Sequence, residues 1–345
     1  MSKTKRVDGP ANSRDGRLDL DGKRKIGRSF YRGDNCNFNP YKLDFFKEDF
    51  LEKYLLTGWV PNQSPCIDKN TNITAFGSCF ADNISKHLSN IGYTTSKEKD
   101  PDIYVSSIGE GLVNVYSLLS QFKWAFDEDK PKQELWHGYN GEKFGYNEDI
   151  RQRTKKIFLN TDFFIITLGL SEIWYDEISQ EVFWRAIPKE NVDTSRHKFR
   201  VCTMAETKQC LQSIKEYINL YVPNAKLLFT LSPVPLAATF RSISCLTANS
   251  VSKSILRAAL DEFLRDNEND LNKNLFYWPS YEIVNELFYD RFSKDNRHPY
   301  RENIDLIMKL FEAVYCDSKV EIQEIENLYK EIRLQNYKNI NFTKK

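Results

Sequence analysis

A serine, an aspartate and a histidine in this 345-residue sequence have the types and spacing that nucleophilic catalysis requires. Ser78 follows a short apolar run that ends in Gly77, and a segment with helical periodicity follows it. A hydroxyl in the first turn of a helix has a fixed position, and the nearby backbone N–H groups and helix dipole stabilise a developing oxyanion. Asp295 and His298 are three residues apart, so both side chains can face one point. The histidine can then accept the serine proton while the aspartate orients its ring.

The same residues also have structural interpretations. Serine is a common helix N-cap, so Ser78 is also suited to hold the start of that helix. His298 lies directly before Pro299, which is compatible with an exposed surface position. Cys79 has apolar neighbours and is expected to pack in the core, with a thiol nucleophile that uses His298 as the alternative. The spacing of Asp295 and His298 favours catalysis over these structural roles.

The chain around these residues alternates apolar runs with amphipathic segments. The run that follows Asp162 is continuously apolar, which is typical of a central parallel strand covered on both faces. Strands are predicted at 72–77, 162–169, 225–232 and 274–278, and helices at 78–88, 108–126, 204–221, 251–267 and 301–315. This alternation favours an α/β fold with a doubly wound parallel sheet, in which ligands bind at the carboxyl ends of the strands.

Several charged residues lie near the predicted strand ends. Glu172 follows the strand that starts after Asp162 and is interpreted as a buried acid, a substrate ligand or a helix cap, with the site favoured. Arg241 and Lys253 flank the loop after the 225–232 strand, where they would bind an anionic substrate group or form salt bridges. His197 lies in a polar stretch and is a rival base, although a structural hydrogen bond or a substrate contact fits that position better.

The aromatic residues between the predicted elements have two interpretations. Aromatic side chains at this density are mostly core, and a sugar-binding cleft is the alternative. The residues concerned are Trp124, Trp136, Trp174, Tyr175 and Trp184.

Composition excludes several classes of protein. Lys and Arg number 49 against 48 Asp and Glu, so no global field attracts nucleic acid. No apolar run approaches the ~20 residues of a membrane span, and the N-terminus lacks the apolar stretch of a secretory signal. Seven scattered cysteines form no Cys-x-x-Cys pair, and four histidines are too few for a His-rich metal centre. No metal or organic cofactor is expected, because serine chemistry needs neither and the spacings of metal ligands are absent. Reduced thiols favour a cytoplasmic protein.

The block Ala75-Phe-Gly-Ser-Cys-Phe-Ala81 resembles the motif that names the GSCFA family, which is similar to the wider SGNH/GDSL-type hydrolase group. The resemblance runs from about residue 40 to about residue 316 and includes further blocks in the same order. These blocks are 114–116, 167–174, 230–236, 248–256, 279–283 and Asp295-x-x-His298-Pro. Several ordered blocks at such spacing make chance similarity improbable.

This resemblance implies a three-layer α/β/α sandwich with a mostly parallel sheet, an N-terminal arm and inserted loops. It implies Ser78 as nucleophile and Asp295 with His298 as the pair that completes the triad. The implied activity is ester hydrolysis or acyl transfer, with an O-acyl group of a carbohydrate favoured by analogy with the wider group. The implied partner is a small-molecule or glycan ester, with no nucleic acid.

The resemblance also implies which groups would hold the oxyanion. In the wider group the donors are the serine N–H, a glycine, and an asparagine from a Gly-x-Asn-Asp block. Here the block reads Gly169-Leu-Ser171-Glu172, so a serine stands where that asparagine would be. Asn114 is an alternative amide donor, and we expect it, rather than Ser171, to face the pocket above Ser78. The altered block also supports a second hypothesis, a glycan-binding or scaffolding protein with impaired chemistry.

Three segments are predicted along the chain. Residues 1–39 form a basic arm, interpreted as largely flexible because glycines separate its charges, and a contact with an anionic glycan or lipid is the alternative. Residues 40–316 form the GSCFA/SGNH-like domain. Residues 317–345 form a C-terminal helical tail.

Overall fold

A five-stranded parallel sheet forms the centre of the protein. The structure is a computed structural model that describes residues 37–108, 111–127 and 145–342, and two short strands nearer the N-terminus, at 16–18 and 24–26. The strands are β1 (Gly16–Leu18), β2 (Arg24–Ile26), β3 (Asn72–Gly77), β4 (Thr94–Thr95), β5 (Phe163–Leu168), β6 (Glu172–Asp176), β7 (His197–Val201), β8 (Lys226–Leu231) and β9 (Leu275–Trp278). Most of the N-terminal arm, which is predicted to be flexible, lies outside the described residues; its described parts are the antiparallel pair β1–β2 and residues 37–39.

Helices connect most of the strands, and further helices come after the last strand. They are α1 (Cys79–Asn90), α2 (Ser96–Lys99), α3 (Tyr104–Ser107), α4 (Val115–Asp127), α5 (Glu148–Leu159), α6 (Met204–Tyr221), α7 (Cys245–Asp266), α8 (Ser280–Glu282), α9 (Arg301–Tyr315) and α10 (Ile322–Phe342). No helix of the described part is long and apolar enough to cross a membrane.

The order of the sheet is β4-β3-β5-β8-β9, and every neighbouring pair is parallel. The chain therefore starts in the second position, moves outward to β4, and then builds β5, β8 and β9 on the other side of β3. In such sheets the point where the direction of building reverses leaves a crevice at the carboxyl ends of two strands. That point lies between β3 and β5.

Alternating side chains of the strands divide the core into two layers. In β5, Phe163 and Ile165 pack on one face, and Phe164, Ile166 and Leu168 pack on the other. Helices α1, α9 and α10 cover the first face, and α4, α5, α6 and α7 cover the second. A strand buried on both faces must be apolar at every position, which explains its continuous apolar run. The predicted α/β architecture with a mostly parallel sheet between helices is confirmed.

An antiparallel pair, β6–β7, lies between β5 and α6 and was not predicted. Glu172 pairs with Val201 at one end and Asp176 pairs with His197 at the other. The polar and charged residues of both strands conceal the pairing in the sequence, because β6 begins and ends with a carboxylate and three of the five residues of β7 are charged or polar. Through this pair the protein places side chains over the carboxyl edge of the sheet.

Helix starts differ from the predictions where a capping residue decides them. The helix predicted from residue 108 begins at Val115, because the Asn114 Oδ1 accepts the N–H of Ser117 and caps it. The helix predicted from residue 251 begins at Cys245, after the cap Ser244. The C-terminal helix α10 packs on α9, with Ile325, Tyr329 and Ile332 in the core. The division of the chain into three segments stays a prediction.

Candidate active site

A cavity of about 480 Å³ opens at the carboxyl edge of the sheet, where the order of strands reverses. Ser78 and Gly169, which directly follow β3 and β5, line it, and so does Ser232, which follows β8. His298 reaches the same cavity from the turn before α9. The position agrees with the general rule for ligand sites in doubly wound sheets.

Ser78 is the N-cap of α1 and lines the cavity at the same time. Its Oγ accepts the N–H of Phe80 at 3.3 Å, and its side chain is almost fully buried. Gly77 turns the chain sharply here, with φ at +131°, and a Cβ on it would lie 2.2 Å from the carbonyl oxygen of Thr167. A capping bond uses a lone pair of the hydroxyl and leaves the O–H free to reach a base. The capping and nucleophilic roles of Ser78 are therefore compatible.

Asp295 and His298 form a pair within one tight turn. Asp295 Oδ2 lies 2.5 Å from His298 Nδ1, and Oδ1 accepts the backbone N–H groups of Arg297 and His298 at 3.0 Å each. The hydrogen bond with His298 and these backbone N–H groups hold the pKa of Asp295 well below its usual range. An ionised carboxylate on Nδ1 leaves Nε2 as the nitrogen available for a serine proton.

Ser78 and His298 line one cavity but do not share a hydrogen bond among the described residues. The His298 side chain is 52% exposed, on a turn that projects from the sheet edge. Catalytic hydrogen bonds are often long before substrate binds. The complete triad stays a prediction, with its Asp–His half present in the geometry.

Asn114 does not have the free amide that an oxyanion donor needs. Its side-chain nitrogen donates to the carbonyl oxygens of Phe183 and Trp184, at 3.1 and 3.2 Å. The residue lines the cavity, but this amide fastens the segment before β7 to the start of α4. The ranking of Asn114 above Ser171 as donor therefore has no support in the geometry.

Ser171 also lacks that role, because it does not lie among the cavity-lining residues. It is buried, and both its N–H and its hydroxyl contact Ser252 Oγ on α7, at 2.9 and 3.2 Å. Ser171 thus serves packing between the sheet edge and α7.

The backbone donors that were expected at the oxyanion site also have acceptors within the protein. The N–H of Ser78 donates to the carbonyl oxygen of Thr167 at 3.3 Å, and those of Gly169 and Leu170 donate to that of Val113 at 3.0 and 3.1 Å. Gly169 allows this close approach, since a Cβ there would lie 2.8 Å from the Val113 oxygen. An oxyanion at Ser78 would need another source of positive potential.

Arg297 supplies a positive charge that the sequence analysis missed. It lines the cavity, and its Nε and Nη2 donate to the carbonyl oxygen of Pro235 at 3.3 Å. No carboxylate within salt-bridge distance of Arg297 occurs in the described part of the chain. The sequence could have indicated this residue, because Arg297 lies between Asp295 and His298 and the turn that places the histidine at the cavity also places its neighbour there.

Lys253 is buried beneath the site. Its Nζ donates to the carbonyl oxygens of Gly169 and Ser232, at 2.7 and 2.8 Å, and so joins the ends of β5 and β8. Burial lowers the pKa of this amine to about 7, with Cys79 and Arg297 as its charged or polar neighbours. The expectation that Lys253 binds a substrate anion or forms a salt bridge is wrong, since its partners are backbone carbonyls.

Glu172 lines the cavity at the start of β6, as expected for a site residue. Its Oε1 accepts the Thr239 hydroxyl at 2.9 Å. Burial raises the pKa of this carboxyl, against the opposing effects of that hydrogen bond and of the positive charge of Arg241. Arg241 itself is not among the residues that line the cavity, contrary to the expectation for a site residue.

Cys79 is half-buried and lines the cavity, contrary to the expectation that it packs in the core. His197 is not brought to the cavity: its Nδ1 accepts the backbone N–H of Asp193 at 3.0 Å and closes the turn before β7. Of the aromatic residues considered for a sugar cleft, Trp174 lines the cavity, whereas Trp124 and Trp184 are fully buried. Trp136 lies outside the described residues.

The fold and the cavity define an α/β protein with its site at the edge of a parallel sheet, and comparison with known proteins gives the family. The model of the GSCFA family matches residues 72–311, so the chain belongs to that family. Among solved structures, the chain is similar to an acetyl xylan esterase, Est2A, from the rumen bacterium Butyrivibrio proteoclasticus, with 13% identity and a TM-score of 0.24. That match covers 64% of this chain and 57% of the esterase. No curated protein matches the sequence.

Proposed function

We propose that this protein is a serine-dependent ester hydrolase or acyltransferase of the SGNH type. The observation that carries the proposal is one cavity lined by Ser78 and His298, with the Asp295 carboxylate 2.5 Å from His298 Nδ1. The buried, capped serine has a fixed position, and the ionised aspartate stabilises the imidazolium that forms when the serine loses its proton.

The proposed reaction has two stages. Ser78 Oγ attacks the ester carbonyl carbon while its proton passes to His298 Nε2, and the alcohol leaves with that proton. Water then attacks the acyl-serine through the same histidine, which releases the carboxylic acid and restores Ser78. A sugar hydroxyl in place of water gives acyl transfer. A carbohydrate is the alcohol that we propose, by analogy with the wider hydrolase group, and the open side of the cavity at His298 leaves room for it.

We assign stabilisation of the oxyanion to Arg297 and to the N-terminus of α1. The guanidinium lines the cavity in the same turn as His298, and the dipole of a 12-residue helix points its positive end at Ser78. A cation placed where negative charge develops lowers the barrier without needing the asparagine of the Gly-x-Asn-Asp block. We further propose a reducing, cytoplasmic location, which the free thiols of the six described cysteines support.

A fluorophosphonate probe tests the proposal, because it labels an activated serine and not a merely capping one. We expect labelling of the unchanged protein and its loss in Ser78→Ala. The matched control is Ser244→Ala, which removes the N-cap of α7, where Oγ likewise accepts the N–H of the second helical residue, Leu246, at 3.3 Å. Each substitution should cost about 1 kcal/mol of stability, so equal melting temperatures with unequal labelling isolate the chemistry. Labelling that persists in Ser78→Ala would refute the nucleophile.

The alternative is a binding or scaffolding protein that kept the fold with impaired chemistry. It is favoured by one observation, the engagement of the Ser78, Gly169 and Leu170 N–H groups by backbone carbonyls. An unchanged protein that fails to label over pH 6–9, while binding a ligand in the cavity, would decide for this alternative. Labelling of Cys79 by a thiol-specific acyl probe, abolished in Cys79→Ser, would instead assign the nucleophile to the neighbouring residue.

A further inference from the structure

The cavity has an apolar wall that the reaction proposed above does not use. Residues of β6, β7 and the loop after β8 form this wall, namely Ile173, Trp174, Phe199, Val234, Leu236 and Phe240. Ser78 and His298 line the same cavity. A group that is bonded to the reacting carbonyl can therefore contact the wall without leaving the cavity.

Three aromatic rings in the wall pack against one another. The centroids of Trp174 and Phe240 are 4.9 Å apart, and Phe199 lies 5.5 Å from each of them. Trp174 and Phe199 are register partners in the β6–β7 pair, which fixes their rings. Phe240 lies on the loop after β8 and remains 55% exposed. An exposed aromatic ring beside a cavity is apolar surface that a bound ligand can remove from water.

Several polar groups of the lining are already hydrogen-bonded within the protein. The Asn114 amide is held by two carbonyls, the Ser232 carbonyl accepts Lys253, and Glu172 Oε1 accepts Thr239. Arg297 and His298 belong to the turn beside Ser78. A sugar ring needs several hydrogen-bond partners when it is buried, whereas an apolar chain needs none.

We propose that this wall binds the acyl group of the substrate, and that this group is a medium-length apolar chain such as octanoyl rather than acetyl. The inference rests on the proposed function, because the acyl carbon must reach Ser78. A cavity of about 480 Å³ falls within the range of about 300–1,000 Å³ that is typical of small-molecule pockets, and the methyl of an acetyl group would fill only a small part of it. Each further methylene taken from water raises affinity about fourfold.

Turnover of p-nitrophenyl acetate and p-nitrophenyl octanoate tests the inference with a constant leaving group. We expect a kcat/KM for octanoate at least about tenfold above that for acetate, which requires the burial of about two methylenes. Ala238→Trp places a large ring in the cavity and should lower octanoate turnover about tenfold more than acetate turnover. Phe240→Ala should reduce the preference severalfold. The matched control is Leu246→Ala, which removes an exposed side chain outside the cavity and should leave both values unchanged.

Binding of free octanoate and acetate to Ser78→Ala, measured by calorimetry, separates this inference from the proposed function. Tighter binding of octanoate, weakened by a second substitution Ala238→Trp, supports the pocket even when no ester is turned over, and in that case the proposed function alone fails. Turnover of acetate that equals or exceeds that of octanoate overturns the inference and leaves the function standing. Octanoate that binds no tighter than acetate, in a protein that hydrolyses neither ester, refutes both.

Discussion

Replacement of Lys253 with methionine removes the amine that holds the two strand ends beneath the site. Its Nζ donates to the carbonyl oxygens of Gly169 and Ser232, at 2.7 and 2.8 Å. Methionine has a similar length and leaves little cavity, so the main loss is the unpaired state of two buried carbonyls. Each such loss costs about 1–3 kcal/mol. At alkaline pH we therefore expect Lys253→Met to be about 2–6 kcal/mol less stable than the unchanged protein.

The loss of stability in Lys253→Met should be smaller at neutral pH, because the unchanged protein then has to bury a charged ammonium, which is itself unfavourable. The pKa of Lys253 falls from 10.5 in an exposed chain to about 7 in the folded protein. Between these values the unfolded chain binds more protons than the folded protein, so the free energy of unfolding rises with pH. With these two values, Lys253 contributes a gain of about 3 kcal/mol between pH 7 and pH 9.5. Below pH 7 its ammonium is charged in both states, and the contribution levels off.

Urea denaturation of both proteins at pH 7 and pH 9.5 measures how the stability difference between the unchanged protein and Lys253→Met changes with pH. Titrating groups that do not interact with Lys253 change alike in the unchanged protein and in Lys253→Met, so their contributions cancel. Lys156→Met, which replaces an exposed lysine on α5, is the control and should keep the pH dependence of the unchanged protein. An equal rise of stability with pH in Lys253→Met and in the unchanged protein would refute the reasoning, since Lys253 would then titrate alike in the folded and unfolded states.

Three further outcomes are expected from single substitutions. Gly77→Ala should lower the free energy of unfolding, measured by urea denaturation, by at least about 3 kcal/mol, because φ is positive and the new Cβ would lie 2.2 Å from the Thr167 oxygen. Gly58→Ala is the control: its φ is also positive, but nothing lies within 4 Å of the new Cβ, so it should cost only about 1–2 kcal/mol. Asp295→Asn should lower kcat at least about a hundredfold at a temperature where the variant is folded, and an activity within twofold would remove the aspartate from the mechanism. Arg297→Met should lower kcat by about a hundredfold with KM changed less, and equal losses in Arg297→Met and Arg297→Lys would show that its charge does not act on the oxyanion.

Local sequence signals were sufficient for several elements. The bounds of β3, α6 and α9 agree with the predictions residue for residue. In α6 the reason is a capping box, in which Thr203 and Glu206 satisfy each other's backbone N–H groups within four residues. The interior of β5 was equally plain, because a strand covered on both faces has no polar position. These patterns involve residues that are close in the sequence, so they can be recognised without knowledge of the fold.

The β6–β7 pair is an element that local sequence patterns did not predict. Trp174 and Phe199 are partners across the pair, yet 25 residues separate them in the chain. Both strands are rich in charged residues and lack a continuous apolar run, so the packing of their apolar side chains is defined only once the two strands pair. The aromatic wall of the cavity depends on that meeting and was therefore invisible in the sequence.

By itself the sequence determined the family, the parallel sheet between helices, the serine at the end of β3 and the aspartate three residues before a histidine. Tertiary structure alone decided which polar groups are free to act at the cavity. Asn114 donates to carbonyls 69 and 70 residues away, Ser171 contacts a hydroxyl 81 residues away, and Lys253 donates to a carbonyl 84 residues away. A buried polar group must find a partner wherever the fold supplies one, and that partner comes from a distant segment whose approach no local pattern encodes.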